Sequence, residues 1–217
     1  MQYLEYESAW SKLHGDAEPS SLIRLWLKFM FKVTSLLLRF TPNFITLFSG
    51  LLAIGLVALT QYTELYLLVA LGIFLLGVLD GVDGALAVRR NLVSNWGSFL
   101  DSLVDRLVDV AILVILVQLG ANPVLAVIAG TVTLIHEYMR ARAASVGFAL
   151  IGKITVAEKP TRIILGFVAL IAIAYDSSRA QTFAQISCWV WLVLASIGFA
   201  QLFVVYRREL KTASNDV

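Results

Sequence analysis

Between Leu79 and Asp109 the chain reads LDGVDGALAVRRNLVSNWGSFLDSLVDRLVD. This sets five aspartates, Asp80, Asp83, Asp101, Asp105 and Asp109, between two strongly apolar segments. A carboxylate taken out of water without a proton or a cation costs several kcal/mol, so such a stretch persists only where it binds something positive. Asp80 and Asp83 are spaced i, i+3 and Asp101 and Asp105 i, i+4, and on a helix each pair shares a face. The polar turn from Arg89 to Asn95 is short enough to let the two faces meet. Four converging carboxylates repel one another, and an all-oxygen ligand set favours Mg2+ or Mn2+ as the relief. Gly84 and Gly97 leave room for backbone or ligand to come close. Ion pairing with Arg89, Arg90 and Arg106 is the competing structural account, but it requires neither two Asp pairs nor two glycines at this spacing.

The apolar segments set the fold class. The 217 residues are 59% hydrophobic with mean hydropathy +0.82, whereas soluble domains run about 45–50% apolar. Several runs reach the roughly 18 residues that suggest a bilayer span. The expectation is an all-α integral membrane protein of six transmembrane helices, near 43–60, 64–87, 97–119, 122–145, 161–175 and 182–205. Thr41 and Pro42 make a helix start, a capping hydroxyl followed by proline at the first helical position, and Gly120 to Pro123 makes a tight turn. In 20–40, Arg24, Lys28 and Lys32 recur every four residues among Leu, Trp and Phe, the pattern of an amphipathic helix lying on an anionic leaflet. Residues 1–19 read as a polar extension, 41–206 as the six-helix domain and 207–217 as a tail. The acidic, polar start predicts no cleavable signal peptide, and the lone Cys188 excludes a disulfide framework within one chain. Lys and Arg gather in the N-terminal helix, the 88–96 turn, the 140–162 region and the tail, while the turns near 61–63 and 120–122 hold none. The positive-inside rule then puts both termini and the acidic turn on the cytoplasmic side of the cell membrane. A metal site beside a basic cytoplasmic rim suits a phosphate or diphosphate substrate.

The stretch resembles the signature of the CDP-alcohol phosphotransferases (CDP-alcohol phosphatidyltransferases), D-x2-D-G-x2-A-R-x8-G-x3-D-x3-D. Asp80, Asp83, Gly84, Ala87, Gly97, Asp101 and Asp105 fall on it with the right spacing, and the arginine position holds Val88. Arg89 and Arg90 follow, each turned about 100° or more from position 88 on a helix. The resemblance implies that Asp80, Asp83 and Asp101 bind the divalent metals that hold the diphosphate of a CDP-linked lipid. It implies that Asp105 acts as general base on an incoming hydroxyl and also touches metal, and that Gly84 and Ala87 lie against the cytidine, with Arg89 a candidate substitute for the missing arginine. It also implies a homodimer. Asp109 lies outside the signature and is expected to pair with a basic residue or to cap a wet cavity. Asn43 and Thr46, one turn apart at the start of the first span, either cap that helix or contact the nucleotide.

A second basic cluster bears on the acceptor. Arg140, Arg142, Lys153 and Arg162 lie in or beside YMRARAASVGFALIGKITVAEKPTR, and charges entering a span usually line a wet cavity. They are expected to bind a phosphate on the acceptor alcohol. The run Y-x-R-A-R-A…G…AE resembles the inositol-phosphate branch of the family, which implies transfer of a phosphatidyl-type group from CDP-diacylglycerol or its archaeal analogue to inositol 1-phosphate, with release of CMP. Glycerol 3-phosphate would need a similar basic pocket and is the alternative acceptor. Only two histidines exist, His14 and His136, so no zinc site is expected, and no nucleic-acid partner. An intramembrane prenyltransferase needs about nine spans and two distant acidic motifs. A transporter or metal channel would spread its acids along a path through the bilayer instead of gathering them at one depth.

Overall fold

The computed structural model describes residues 1–13, 18–148 and 155–213. Among these the protein is all-helical: α1 (Tyr3–Leu13), α2 (Ser21–Leu36), α3 (Pro42–Tyr62), α4 (Tyr66–Arg89), α5 (Asn95–Gln118), α6 (Pro123–Ser145), α7 (Lys159–Tyr175), a 3-10 turn (Ser177–Arg179) and α8 (Ala180–Ala213). Each expected span coincides with a helix, within about two residues at most ends; α8 runs on to Ala213. Among the described residues, four helices are long and apolar enough to cross a membrane: Pro42–Tyr62, Tyr66–Arg89, Pro123–Ser145 and Ser177–Leu210. The other two expected spans differ for plain reasons. Helix α5 carries Asp101, Asp105, Arg106 and Asp109, and α7 is only 17 residues long.

The described residues form two compact units, Met1–Ile54 with Leu75–Val108, and Gly55–Phe74 with Asp109–Val217. In the first unit, Ser20 caps α2 by accepting from the backbone N–H of Ile23. Helix α2 buries Leu27 and Met30 in a cluster with Ile45, Leu79, Val82 and Leu86. The same cluster takes in Tyr6, only 2% exposed, so the segment expected as a polar extension contains a helix with a buried face. Tyr3 and Tyr6 both meet the Phe31 ring, at centroid distances of 5.7 and 5.8 Å, and Glu7 pairs with Arg24 at 2.9 Å.

The hairpin between α4 and α5 is shaped by local chemistry. Asn91 adopts a left-handed φ of 55°, and the N–H of Leu92 reaches back to the carbonyl of Ala87 at 2.8 Å, the six-residue closure that stops a helix. Ser94 then accepts from the N–H of Gly97 at 3.1 Å and starts α5. The Thr41 hydroxyl accepts from the N–H of Phe44 in the same way at the head of α3.

In the second unit α6 and α7 pack against α8. Buried positions Ala184, Cys188, Trp191, Ala195 and Leu202 mark one face of α8, and the Trp191 indole donates to Thr133 of α6 at 3.0 Å. The turn before α6 is as tight as expected: Gly120 takes a φ of +99°, and Asn122 caps α6 by accepting from Val124 and Leu125. Large apolar side chains face outward on the candidate spans, among them Phe44, Leu51, Leu67, Leu71, Phe74 and Val193. Soluble monomers rarely expose contiguous apolar surface on this scale; lipid accounts for it.

Candidate active site

Helices α4 and α5 bring three of the expected acids together. One carboxylate oxygen from each of Asp80, Asp101 and Asp105 lies within 4.8 Å of the others. An all-oxygen set of this size fits a hard divalent cation such as Mg2+ or Mn2+. Asp83 lies outside this trio. It is 7% exposed, accepts a 2.6 Å hydrogen bond from the Thr46 hydroxyl and another from the N–H of Gly84. Thr46 is thereby committed to orienting a carboxylate, which differs from the expected choice between capping and nucleotide contact. Arg106 stands 3.6 Å from Asp105.

Asp80, Asp83 and Asp101 border a cavity of about 330 Å3 whose walls also include Gly84, Ala87 and Gly97. Asn43 and Thr46 of α3 also line it. A Cβ added at Gly84 would meet nothing within 4 Å, so the cavity keeps open space beside this residue. At Gly97 a Cβ would stand 3.2 Å from the Asn43 side-chain oxygen. The lining also has an apolar and aromatic part: Tyr6 and Trp10 of α1, and Trp26, Leu27 and Met30 of α2. Sequence reasoning missed the α1 contribution. Tyr3, Tyr6 and Trp10 are spaced i, i+3, i+7, one face of a helix, and that signal was present in the chain. Burial pushes the Tyr6 hydroxyl up to about 12, so it is a neutral phenol.

Arg89 does not take the place of the arginine that Val88 replaces. Val88 lines the cavity, whereas the Arg89 guanidinium donates to the Phe31 carbonyl, the Thr34 hydroxyl and the Ser35 hydroxyl at 2.8, 2.7 and 3.0 Å. It also stacks on the Phe31 ring, 3.9 Å from its centroid. The 100° turn per residue sends it to α2. Arg90 donates to the Phe40 carbonyl at 2.7 Å.

The expected acceptor residues belong to the second unit. Arg162 is turned inward, 3% exposed, donating to Asp109 at 2.8 Å and to Glu137 at 3.4 Å. Two acids thus already hold the guanidinium that was expected to bind a phosphate. The Asp109 contact bears out the pairing expected of that residue. Arg140 pairs with Glu158, and Arg142 donates to Ser145 at 3.1 Å. Partial burial acts to raise the Glu158 carboxyl pKa, but hydrogen bonds from Thr155 and from Arg140 outweigh it and hold it below the usual carboxyl value. His136, fully buried, shares a hydrogen bond with Thr155 at 3.2 Å. Lys153 and His14 lie outside the described residues.

Over residues 39–206 the chain matches the CDP-alcohol phosphatidyltransferase family. It is 33% identical to the archaetidylinositol phosphate synthase of Pyrococcus horikoshii across 135 residues, 61% of this chain and 70% of that protein. A 70-residue stretch, 32% of the chain, is 51% identical to an uncharacterized protein of Aquifex aeolicus and spans 35% of that protein's length. The fold is shared with the phosphatidylinositol phosphate synthase of Mycobacterium tuberculosis. In its CDP-DAG-bound structure the TM-score is 0.67 at 21% identity, over 82% of this chain and 94% of that one. In its complex with manganese and citrate the TM-score is 0.66. A match that spans most of the chain and contains the aspartate hairpin settles its kinship: the protein belongs to the CDP-alcohol phosphatidyltransferase family and is a transferase of substituted phosphate groups.

Proposed function

We propose that the protein transfers a phosphatidyl-type group from a CDP-linked lipid to inositol 1-phosphate and releases CMP. The observation that carries the donor half is the Asp80–Asp101–Asp105 trio at the edge of a cavity lined by Gly84, Ala87 and Gly97. The names of similar proteins support the acceptor half: archaetidylinositol phosphate synthase in Pyrococcus horikoshii and phosphatidylinositol phosphate synthase in Mycobacterium tuberculosis. The latter binds CDP-DAG in one structure and manganese in another.

Asp80, Asp83, Asp101 and Asp105 would hold Mg2+ or Mn2+, with Asp83 braced by Thr46. A carboxylate has about four acceptor positions, so the two bonds Asp83 already makes do not exhaust it. The bound cations would neutralise charge on the donor diphosphate and on departing CMP. Asp105 takes the proton of the acceptor hydroxyl as that oxygen bonds the lipid-side phosphorus. The bond from that phosphorus to CMP breaks, and CMP leaves with the electron pair. A carboxylate among cations is a weak base, so Asp105 works through position more than basicity. Gly84 and Ala87 leave space for cytidine, and Asn43 lies at the same wall. Arg140, Arg142 and Lys153 would bind the acceptor phosphate, Arg140 while also paired with Glu158.

The membrane arrangement belongs to the same proposal. Residues 41–206 form six spans, α3 to α8, with α2 on the cytoplasmic leaflet, both termini cytoplasmic, and the protein a homodimer in the cell membrane. For α5 the support is that its acids fall in its first 15 residues, with the apolar VAILVILVQ following. For α7 it is a helix of 17 residues that is apolar from Ile163 to Tyr175, after the polar opening KPTR.

Purified protein given labelled CDP-diacylglycerol, Mg2+ or Mn2+ and a panel of inositol 1-phosphate, inositol, glycerol 3-phosphate and serine tests this. The expected outcome is CMP release with phosphatidylinositol phosphate as product; a glycerol phosphate product would move the enzyme to the alternative acceptor. Asp105→Asn is expected to lower kcat at least about 100-fold, and unchanged CMP release would remove Asp105 from the base role.

A further inference from the structure

The family match begins at residue 39, yet the cavity does not end with that domain. Helix α1 contributes Tyr6 and Trp10 to its wall, and Gly84 and Ala87 of α4 line the same cavity. The helix is fixed in that place. Tyr6 is buried in the cluster that holds Leu27, Met30, Val82 and Leu86, Tyr3 stacks edge-on against Phe31, and Glu7 pairs with Arg24 of α2 at 2.9 Å. Phe31 in turn carries Arg89 of α4 on its ring. The cavity lining therefore combines two chemistries, carboxylates and aromatic rings. A CDP-linked donor combines two as well: a diphosphate that needs cations, and a flat cytosine that gains from an aromatic face.

We propose that Trp10, from the helix preceding the family domain, is a donor-binding residue whose indole packs against the cytosine of the CDP-linked lipid while Gly84 and Ala87 lie against the same base. The assignment rests on the CDP-lipid donor proposed for this cavity. It makes α1 part of the substrate site. Tyr6 acts behind Trp10 as a positioning residue, its ring locked in the apolar cluster.

Steady-state kinetics on the full-length enzyme, with CDP-diacylglycerol as donor and CMP as competing ligand, test it. Trp10→Ala is expected to raise the donor KM and the CMP inhibition constant together, by roughly 5- to 100-fold, with kcat and the acceptor KM unchanged. Trp10→Phe, which keeps a flat ring, is expected to restore most of the loss. A donor KM that rises while CMP inhibition stays at the wild-type value would place Trp10 on the lipid part and overturn the cytosine assignment. A matched fall in kcat and in both affinities that Trp10→Phe does not restore would show a brace for the fold, and overturn it too, as would an unchanged donor KM. The donor assignment itself fails separately: wild-type enzyme would then release no CMP from CDP-diacylglycerol.

Discussion

Arg162 shows how far a residue's type can mislead about its role. Its position, opening α7 among basic neighbours, suggested a phosphate ligand. The structure gives it Asp109 and Glu137 and almost no exposure. Removing one partner of a buried ion pair strands the other charge and costs about 3–5 kcal/mol, whereas replacing both with apolar residues is often neutral. Arg162→Met is therefore expected to lower the melting temperature strongly, and the double variant Arg162→Met with Asp109→Leu to recover part of the loss, read by thermal unfolding in detergent. Glu137 keeps the recovery incomplete, since it also faces the guanidinium. If Arg162→Met instead left the melting temperature unchanged and raised only the acceptor KM, the phosphate-ligand role would return. The same gap between type and partner recurs in unit one. The i, i+3 and i, i+4 spacings made the aspartates legible, because helix geometry alone puts each pair on one face. That Asp83 leaves the trio was not legible, because its partner Thr46 is 37 residues away in sequence. Nor was the seat of Arg89, which depends on the carbonyl and ring of Phe31.

At the scale of elements, apolar run length located α3 to α8 because each helix must bury or present to lipid a continuous apolar surface. Helix α1 escaped because its buried face is three aromatic residues, and their burial depends on Phe31 in another helix. The start of α7 is a place where one element depends on a titrating group. Glu158 precedes its first turn and accepts from the N–H of Thr155 at 2.8 Å, from its hydroxyl at 3.0 Å, and from Arg140 of α6. These bonds hold its folded pKa below the ordinary 4.5. A carboxyl depressed in the folded state stabilises fully above its unfolded value. That stabilisation is lost as pH falls through the depressed one. Backbone hydrogen exchange at Thr155 and in the first turn of α7 is thus expected to stay slow at pH 5 to 7 and to quicken as pH falls below the ordinary 4.5 and through the depressed value, relative to helix interiors. Glu158→Gln should quicken it at pH 5 to 7, toward the rate the wild type reaches on protonation, and flatten that dependence. An exchange profile identical in the two proteins would exclude Glu158 as the tie.

For the molecule as a whole, the signature hairpin is both the best-conditioned functional feature and a source of instability. Carboxylates of Asp80, Asp101 and Asp105 within 4.8 Å of one another repel when nothing positive stands among them. A ligand that binds the folded state alone stabilises it by RT ln(1 + [L]/Kd), about 2.7 kcal/mol at 100 times Kd. For a chain of this size that is roughly 5–10 °C in melting temperature. Mn2+ or Mg2+ added to chelator-treated protein is therefore expected to raise the melting temperature by that order, and the chelator to reverse it. Asp101→Asn should act in opposite directions on the two forms. It removes one of three repelling charges, so the metal-free melting temperature rises. It also removes a ligand, so the response to metal shrinks and CMP release falls. A structural trio held by arginines predicts the reverse pattern, with Asp101→Asn less stable and no response to metal in either protein. The two accounts differ in the sign of the metal-free shift, which a single pair of melting curves reads without any substrate present.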